Sequence, residues 1–184
     1  MFFNEYFCNR VGYSIVKRFC FLTIKHWEID TVIGRKTKGD SVVLTLVESL
    51  IRNYIALQIS GKNSTAVAAG IASLRNHFGS KFSEVFKTIT GDNGQEFSEL
   101  TSIENDTDTR VYFAHPYSSW ERGSNERHNG LLRRFIPKGK RIDSYNEEEI
   151  LFVADWCNNL SRKILGYHTP DELFEKELDK IYAC

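Results

Sequence analysis

Three carboxylates, Asp30, Asp92 and Glu126, stand in local settings that point to metal chemistry. Asp30 lies inside His26-Trp27-Glu28-Ile29-Asp30-Thr31-Val32-Ile33-Gly34, a run with the composition of a buried strand and an acid at its middle. Asp92 closes the β-like run Phe86 to Thr90 and opens Gly91-Asp92-Asn93-Gly94-Gln95-Glu96-Phe97. Glu126 falls within Trp120-Glu121-Arg122-Gly123-Ser124-Asn125-Glu126-Arg127-His128-Asn129-Gly130, ahead of the basic run Leu131 to Arg134. Carboxylates are hard oxygen ligands of the kind that hold Mg²⁺ or Mn²⁺ and leave waters for a substrate to displace. Two such ions about 4 Å apart activate an attacking oxygen and stabilise the leaving one during in-line displacement at phosphorus. A single acid at a strand end more commonly shapes a turn or caps a helix. Three in these contexts point to a shared centre acting on a phosphodiester.

The elements that must carry these acids are legible as strand, strand, strand, helix, strand, helix, strand, helix, helix. Trp27 to Gly34 reads as the first strand, Gly39-Asp40 as the turn after it, Ser41 to Glu48 as the second strand and Asn53 to Ile59 as the third. Asn63 or Ser64 can cap a helix in which Val67, Ile71, Leu74 and Phe78 recur at helical spacing, closed by Gly79. Phe86 to Thr90 is expected as a short strand, Phe97 to Ile103 as a short helix, and Arg110 to Ala114 as a strand ended by Pro116. The stretch from Ser118 to Phe135 should hold a helix bearing Glu126, broken at Pro137-Lys138-Gly139. An amphipathic helix is expected from about Asn146 to Arg162, burying Ile150, Val153, Ala154 and Cys157 or Leu160, and a last one from Asp171 to Ile181.

A chain of 184 residues, 41% hydrophobic and 13% aromatic, has material for one packed domain rather than a disordered segment. Cys8, Cys20, Cys157 and Cys184 are widely spaced with no Cys-x-x-Cys pair, which fits reduced thiols and a cytoplasmic setting better than a zinc site or disulfide framework. No apolar run is long enough for a membrane span. Net charge is zero, but its distribution is uneven. Residues 110 to 141 hold eight Lys or Arg against two acids, whereas residues 142 to 184 hold four against ten. Positive charge therefore gathers around Glu126, where a phosphate backbone would approach.

His26 to Asp30, Thr90 to Phe97 and Pro116 to Glu126 resemble the three catalytic blocks of Asp-Asp-Glu transposases of the insertion sequence thirty family. The 33 residues between Asp92 and Glu126 match that family's spacing, and Asn129 to Gly139 and Asn159 to Pro170 extend the likeness. The resemblance covers residues 26 to about 175. It implies an α/β, ribonuclease H-like fold: a mixed five-stranded sheet flanked by helices, as in an integrase catalytic core, with the third acid on a helix across the sheet edge. It implies that Asp30, Asp92 and Glu126 are both the catalytic residues and the ligands of two Mg²⁺ (or Mn²⁺) ions. Arg122, Asn129, Arg133, Lys138 and Lys140 are the expected DNA contacts, with terminal repeats and target DNA as partners and a homo-oligomer on the DNA. The expected setting is bacterial, cytoplasmic and nucleoid-associated, with no membrane partner. Residues 26–184 are expected to form the core and residues 1–25 a remnant or linker, since the family's helix-turn-helix region has no counterpart here. A truncated reading frame is the corresponding expectation, and a non-catalytic remnant that binds DNA or full-length transposase and inhibits it is the alternative.

Other residues admit two roles. Trp27 and Trp120 can stack on a splayed base or serve as supporting aromatics, with the supporting role favoured. His26, His115 and His128 can contact phosphate or act as hydrogen-bonded scaffolding. Asn93 and Gly94 suit a tight turn after Asp92, and Asn129 shares a helical face with Glu126. Arg133 is a better phosphate contact than Arg134, and Glu96 is expected at the surface or behind the ligands.

Overall fold

A computed structural model describes residues 25–35, 37, 39–115 and 123–183. Three strands come first: β1 His26–Ile33, β2 Val42–Glu48 and β3 Tyr54–Ile59. They pair antiparallel, with Asp30 opposite Thr45 on β2. Helix α1, Ser64–Phe78, follows, started by the Asn63 side chain accepting from the Ala66 N–H and closed by Gly79. A one-turn helix α2, Phe82–Val85, leads to β4, Thr88–Gly91, which pairs parallel with β1. After α3, Ile103–Asp106, comes β5, Arg110–Phe113, parallel to β4. The sheet order is β3-β2-β1-β4-β5, so β1 lies at the centre. Helices α4 (Gly123–Leu132), α5 (Glu147–Asn158) and α6 (Pro170–Tyr182) complete the chain order.

The sheet is buried on both faces, which is why β2 shows no polar alternation: all seven of its residues are buried. On one face Trp27, Ile29, Leu44, Leu46 and Ile89 pack against Val67, Ile71, Leu74 and Phe78 of α1. Trp27 belongs to this core, with its indole N–H donating to the Val85 carbonyl at 2.9 Å and its ring against Phe86. On the other face Val32, Val43, Val47 and Tyr54 meet Leu132 of α4 and Ile150, Val153, Ala154 and Cys157 of α5. A strand turns successive side chains to opposite faces. Glu28 and Asp30 of β1 therefore point toward α4, among otherwise apolar neighbours.

Several boundaries differ from the sequence expectation. The run beginning at Phe86 starts pairing only at Thr88, because Phe86 closes α2 through its N–H to the Phe82 carbonyl. Phe97 to Ile103 forms no single helix: two 3-10 turns, Gln95–Phe97 and Leu100–Ser102, precede α3. Phe97 and Leu100 are buried at a spacing of three, which suits a 3-10 turn. Helix α5 stops at Asn158, short of Arg162. The Asn158 side chain binds both the N–H and the carbonyl of Tyr54, and Arg162 instead joins the loop through its N–H to the His168 carbonyl. Helix α4 crosses the face of β1 and β2 rather than a sheet edge.

Candidate active site and its carboxylates

Asp30 and Asp92 are carried by neighbouring parallel strands. The parallel pairing of β1 with β4 runs as far as Glu28 opposite Thr90; Asp30 lies two residues further along β1, and Asp92 directly follows the last residue of β4. The Asp92 side chain turns the chain sharply: its Oδ1 accepts the Gly94 N–H at 2.8 Å, while Asn93 Nδ2 donates to the Ala114 carbonyl at 2.9 Å. That is the tight turn expected for Asn93-Gly94. Gly94 is required by crowding, since a Cβ there would lie 2.8 Å from Asp92 Oδ1 and 2.5 Å from Glu96 Oε2.

Of the two positions expected for Glu96, the surface one is excluded. It is buried, pairs with Lys62 at 2.9 Å and accepts the Thr31 hydroxyl at 3.3 Å. A buried carboxylate needs such a cation, and Lys62 supplies it from the residues just before α1.

Helix α4 follows the line of β1. The Asn125 N–H donates to Glu28 Oε2 at 3.3 Å, Asn129 Nδ2 to Asp30 Oδ2 at 2.9 Å, and one Arg133 NH₂ group to the Ile33 carbonyl at 2.6 Å. Four helical residues advance about 6 Å and two strand residues about 6.6 Å, so Asn125 and Asn129 of α4 keep step with Glu28 and Asp30 of β1, while Arg133, just past the helix end, reaches three residues beyond Asp30. Asn129 also accepts from the Tyr54 hydroxyl at 3.3 Å. Its amide is thus spent on Asp30 and Tyr54 rather than on Glu126. Arg133 is likewise bound to main-chain carbonyls of Ile33 and Ile136 and half-buried, while Arg134 is exposed.

Glu126 is exposed on α4. Among the described residues no group of three or more His, Cys, Asp or Glu side chains is arranged to hold a metal ion. Carboxylate oxygens such as those of Asp30 and Asp92 are hard donors, which fit Mg²⁺ or Mn²⁺ and not a thiolate metal. Lys138 and Lys140 are exposed on the segment after α4. Gly34 lets that segment approach β1, since a Cβ at Gly34 would collide with the Lys140 carbonyl, and the Arg35 N–H donates to that carbonyl at 2.7 Å. Arg122 and Trp120 lie outside the described residues, as does the expected segment 1–24.

Buried polar groups under α4 were not anticipated. Asn125 is fully buried, and the His128 Nδ1 lies 2.7 Å from the Ser124 carbonyl. Burial lowers the His128 imidazole to about 4, so it is neutral near pH 7. Scaffolding is also the role of His26, whose Nδ1 is 2.7 Å from the Thr88 hydroxyl. The one sequence signal for this layer was the alternation of Glu28 and Asp30 in an apolar strand. Nothing local in Arg52 or Tyr54 marked them as its far wall.

No family model matches the chain. Its sequence is 38% identical over 154 residues to the transposase of insertion sequence element IS4351 from Bacteroides fragilis, covering 83% of this chain and 45% of that protein. It is 41% identical over 149 residues to the probable transposase of IS1161 from Streptococcus salivarius, covering 81% of this chain and 41% of that one. Transposase InsI of IS30C from Escherichia coli K12 is 38% identical over 154 residues, with 84% and 39% covered. The chain therefore spans less than half the length of these curated relatives. The catalytic core domain of BIV integrase superposes with a TM-score of 0.62 at 18% identity, covering 87% of this chain and 99% of that one. An integrase chain from the simian T-cell lymphotropic virus intasome structure gives 0.59 at 17% identity, over 76% and 50%. No helix among the described residues is long and apolar enough to cross a membrane. The fold is ribonuclease H-like, that of an integrase catalytic core, and the curated homologues of the chain are IS30-family transposases.

Proposed function

We propose that this domain cleaves DNA strands and transfers them, using Asp30, Asp92 and Glu126 to hold two Mg²⁺ or Mn²⁺ ions. The observation that carries this is the parallel pairing of β1 with β4, the neighbouring strands that bear Asp30 and lead into Asp92, in a chain whose curated relatives are transposases. Bound cations would polarise the scissile phosphate and favour the deprotonated nucleophile. The protein's own contribution is positional. Asn129 holds one oxygen of Asp30 and the Thr31 N–H holds the other at 2.8 Å, which fixes the carboxylate plane. The Gly94 N–H does the same for one oxygen of Asp92. Glu126, on the exposed side of α4, reaches the pair by turning its own side chain.

In the first step water attacks phosphorus at the element end, and the P–O3′ bond breaks with the proton going to the departing 3′ oxygen. In the second that 3′-hydroxyl attacks a phosphodiester of target DNA, forming one P–O bond and releasing another 3′-hydroxyl. Lys138 and Lys140 are placed to meet the backbone, with Arg122 beside Glu126 in sequence. A dimer or larger assembly on DNA follows from the need to hold two ends.

The test is nicking of supercoiled plasmid with Mg²⁺ or Mn²⁺, together with calorimetric titration of Mn²⁺. Asp92→Asn should abolish nicking while unfolding stays cooperative, and Asp30→Ala should abolish the binding heat. Nicking that survives Asp92→Asn removes Asp92 from the reaction. A wild-type chain that binds DNA, never nicks and suppresses an active relative is the inhibitory alternative.

A further inference from the structure

Arg52, Arg127 and Arg162 come from the turn between β2 and β3, from α4, and from the loop after α5. Arg52 and the His128 ring both bind Ser124 of α4, and Arg127 directly precedes His128. Arg52, held in a left-handed backbone at φ 66°, donates to the Ser124 hydroxyl. Arg162 gives one NH₂ group to the Cys157 carbonyl at 3.0 Å, and its Nε–H is buried with no partner. His128 forms the floor, stacked on Tyr54 with centroids 5.4 Å apart. Burial chiefly lowers the Arg162 guanidinium, Cys157 opposes, and Arg52 and Arg127 add to the lowering. Arg162, Arg52 and Arg127 also bear on His128, after burial. Among the described residues none of the three arginines pairs with a carboxylate.

Like charges gathered this way repel, and a buried donor without an acceptor adds to the cost. An anion among them relieves both. We propose that Arg52, Arg127 and Arg162 form a second polynucleotide-backbone site beside α4. With 3.6 residues per turn, His128 lies about 200° round the helix from Glu126 and Arg127 about 100° from each, so Arg127 stands between the carboxylate and the flank that His128 occupies. Guanidinium forks grip phosphate oxygens in pairs. Successive phosphates bring several negative charges to meet three positive ones, which a lone acidic side chain does not. The site extends the DNA path of the proposed strand-transfer function and rests on that reading.

The experiment is fluorescence anisotropy of a short labelled duplex, repeated over a series of KCl concentrations. Arg127→Gln should lower the slope of log affinity against log salt by about one unit, and Arg52→Gln/Arg127→Gln by about two. Arg127→Lys should keep the slope, since the charge remains. Arg127 is exposed, so its replacement tests the charge without disturbing the core. An unchanged slope overturns the proposal. So does a variant whose only defect is a shifted monomer–dimer balance in sedimentation without DNA, which would mean a second copy's acidic surface is the ligand. Plasmid nicking run alongside separates the two readings. A nicking wild type whose slope ignores Arg127→Gln defeats the arginine site alone. A wild type that never nicks but loses slope in Arg127→Gln upholds the arginine site and defeats the catalytic assignment.

Discussion

Asn129 on α4 donates its side-chain N–H to Asp30 on β1 at 2.9 Å, across 99 residues of sequence, and accepts from the Tyr54 hydroxyl with its other end. One amide therefore joins a helix, the central strand and β3 beneath them. Asn129→Ala strips partners from two half-buried groups at once. Expected is a loss of about 1–3 kcal/mol, which thermal unfolding followed by circular dichroism reads as a drop of about 2–4 °C per kcal/mol for a domain of this size.

Glu126 is exposed and belongs to no packing cluster. Glu126→Gln should therefore leave the melting temperature within about 1–2 °C while eliminating metal-dependent nicking. A variant that nicks at the wild-type rate removes Glu126 from the site.

Gly94→Ala places a methyl group against both Asp92 Oδ1 and Glu96 Oε2. Glu96 is the longer side chain and is expected to give way, loosening its contacts to Lys62 and Thr31. Destabilisation should be about 1 kcal/mol, with Mn²⁺ affinity in calorimetry falling more than the stability does. Gly34→Ala meets main chain instead, at the Lys140 carbonyl, and should cost about 1–3 kcal/mol in urea unfolding.

His128 gives the fold an acid sensitivity. Its folded-state value of about 4 lies below the ordinary imidazole value of 6.5, so the unfolded chain binds the proton more readily between those values. Stability from this group is complete above about pH 6.5 and is lost as pH falls toward 4, by at most on the order of 3 kcal/mol. Burial raises the Glu48 carboxyl, which acts in the opposite sense as its proton is taken up. Urea midpoints between pH 7 and pH 4 should fall less steeply in His128→Phe, which keeps a ring on Tyr54.

The strands and α1 were legible because their signals are local. The apolar run of β2, the Asn63 cap and the Gly79 stop need no tertiary knowledge. The places of Asp30 inside β1 and of Asp92 just after β4 were legible for the same reason, and the family likeness supplied their grouping. Partners of the polar side chains were not legible. Arg133 looks like a phosphate ligand in sequence, but the Ile33 carbonyl that occupies it comes from a strand 100 residues away. Glu96 looks like a surface acid because its burial depends on Lys62, brought in by the turn before α1. Helix α5 ends early for a similar reason, its Asn158 side chain being used by the main chain of Tyr54.

The step-for-step fastening of α4 to β1 through Asn125, Asn129 and Arg133 has a mechanical consequence. A helix pinned at two successive turns, with Arg133 tied just past its end, can neither roll nor creep along its strand without breaking these ties together. Adjustment of the Glu126 carboxylate then falls to the torsions of that one side chain, and the backbone beneath it serves as a fixed jig.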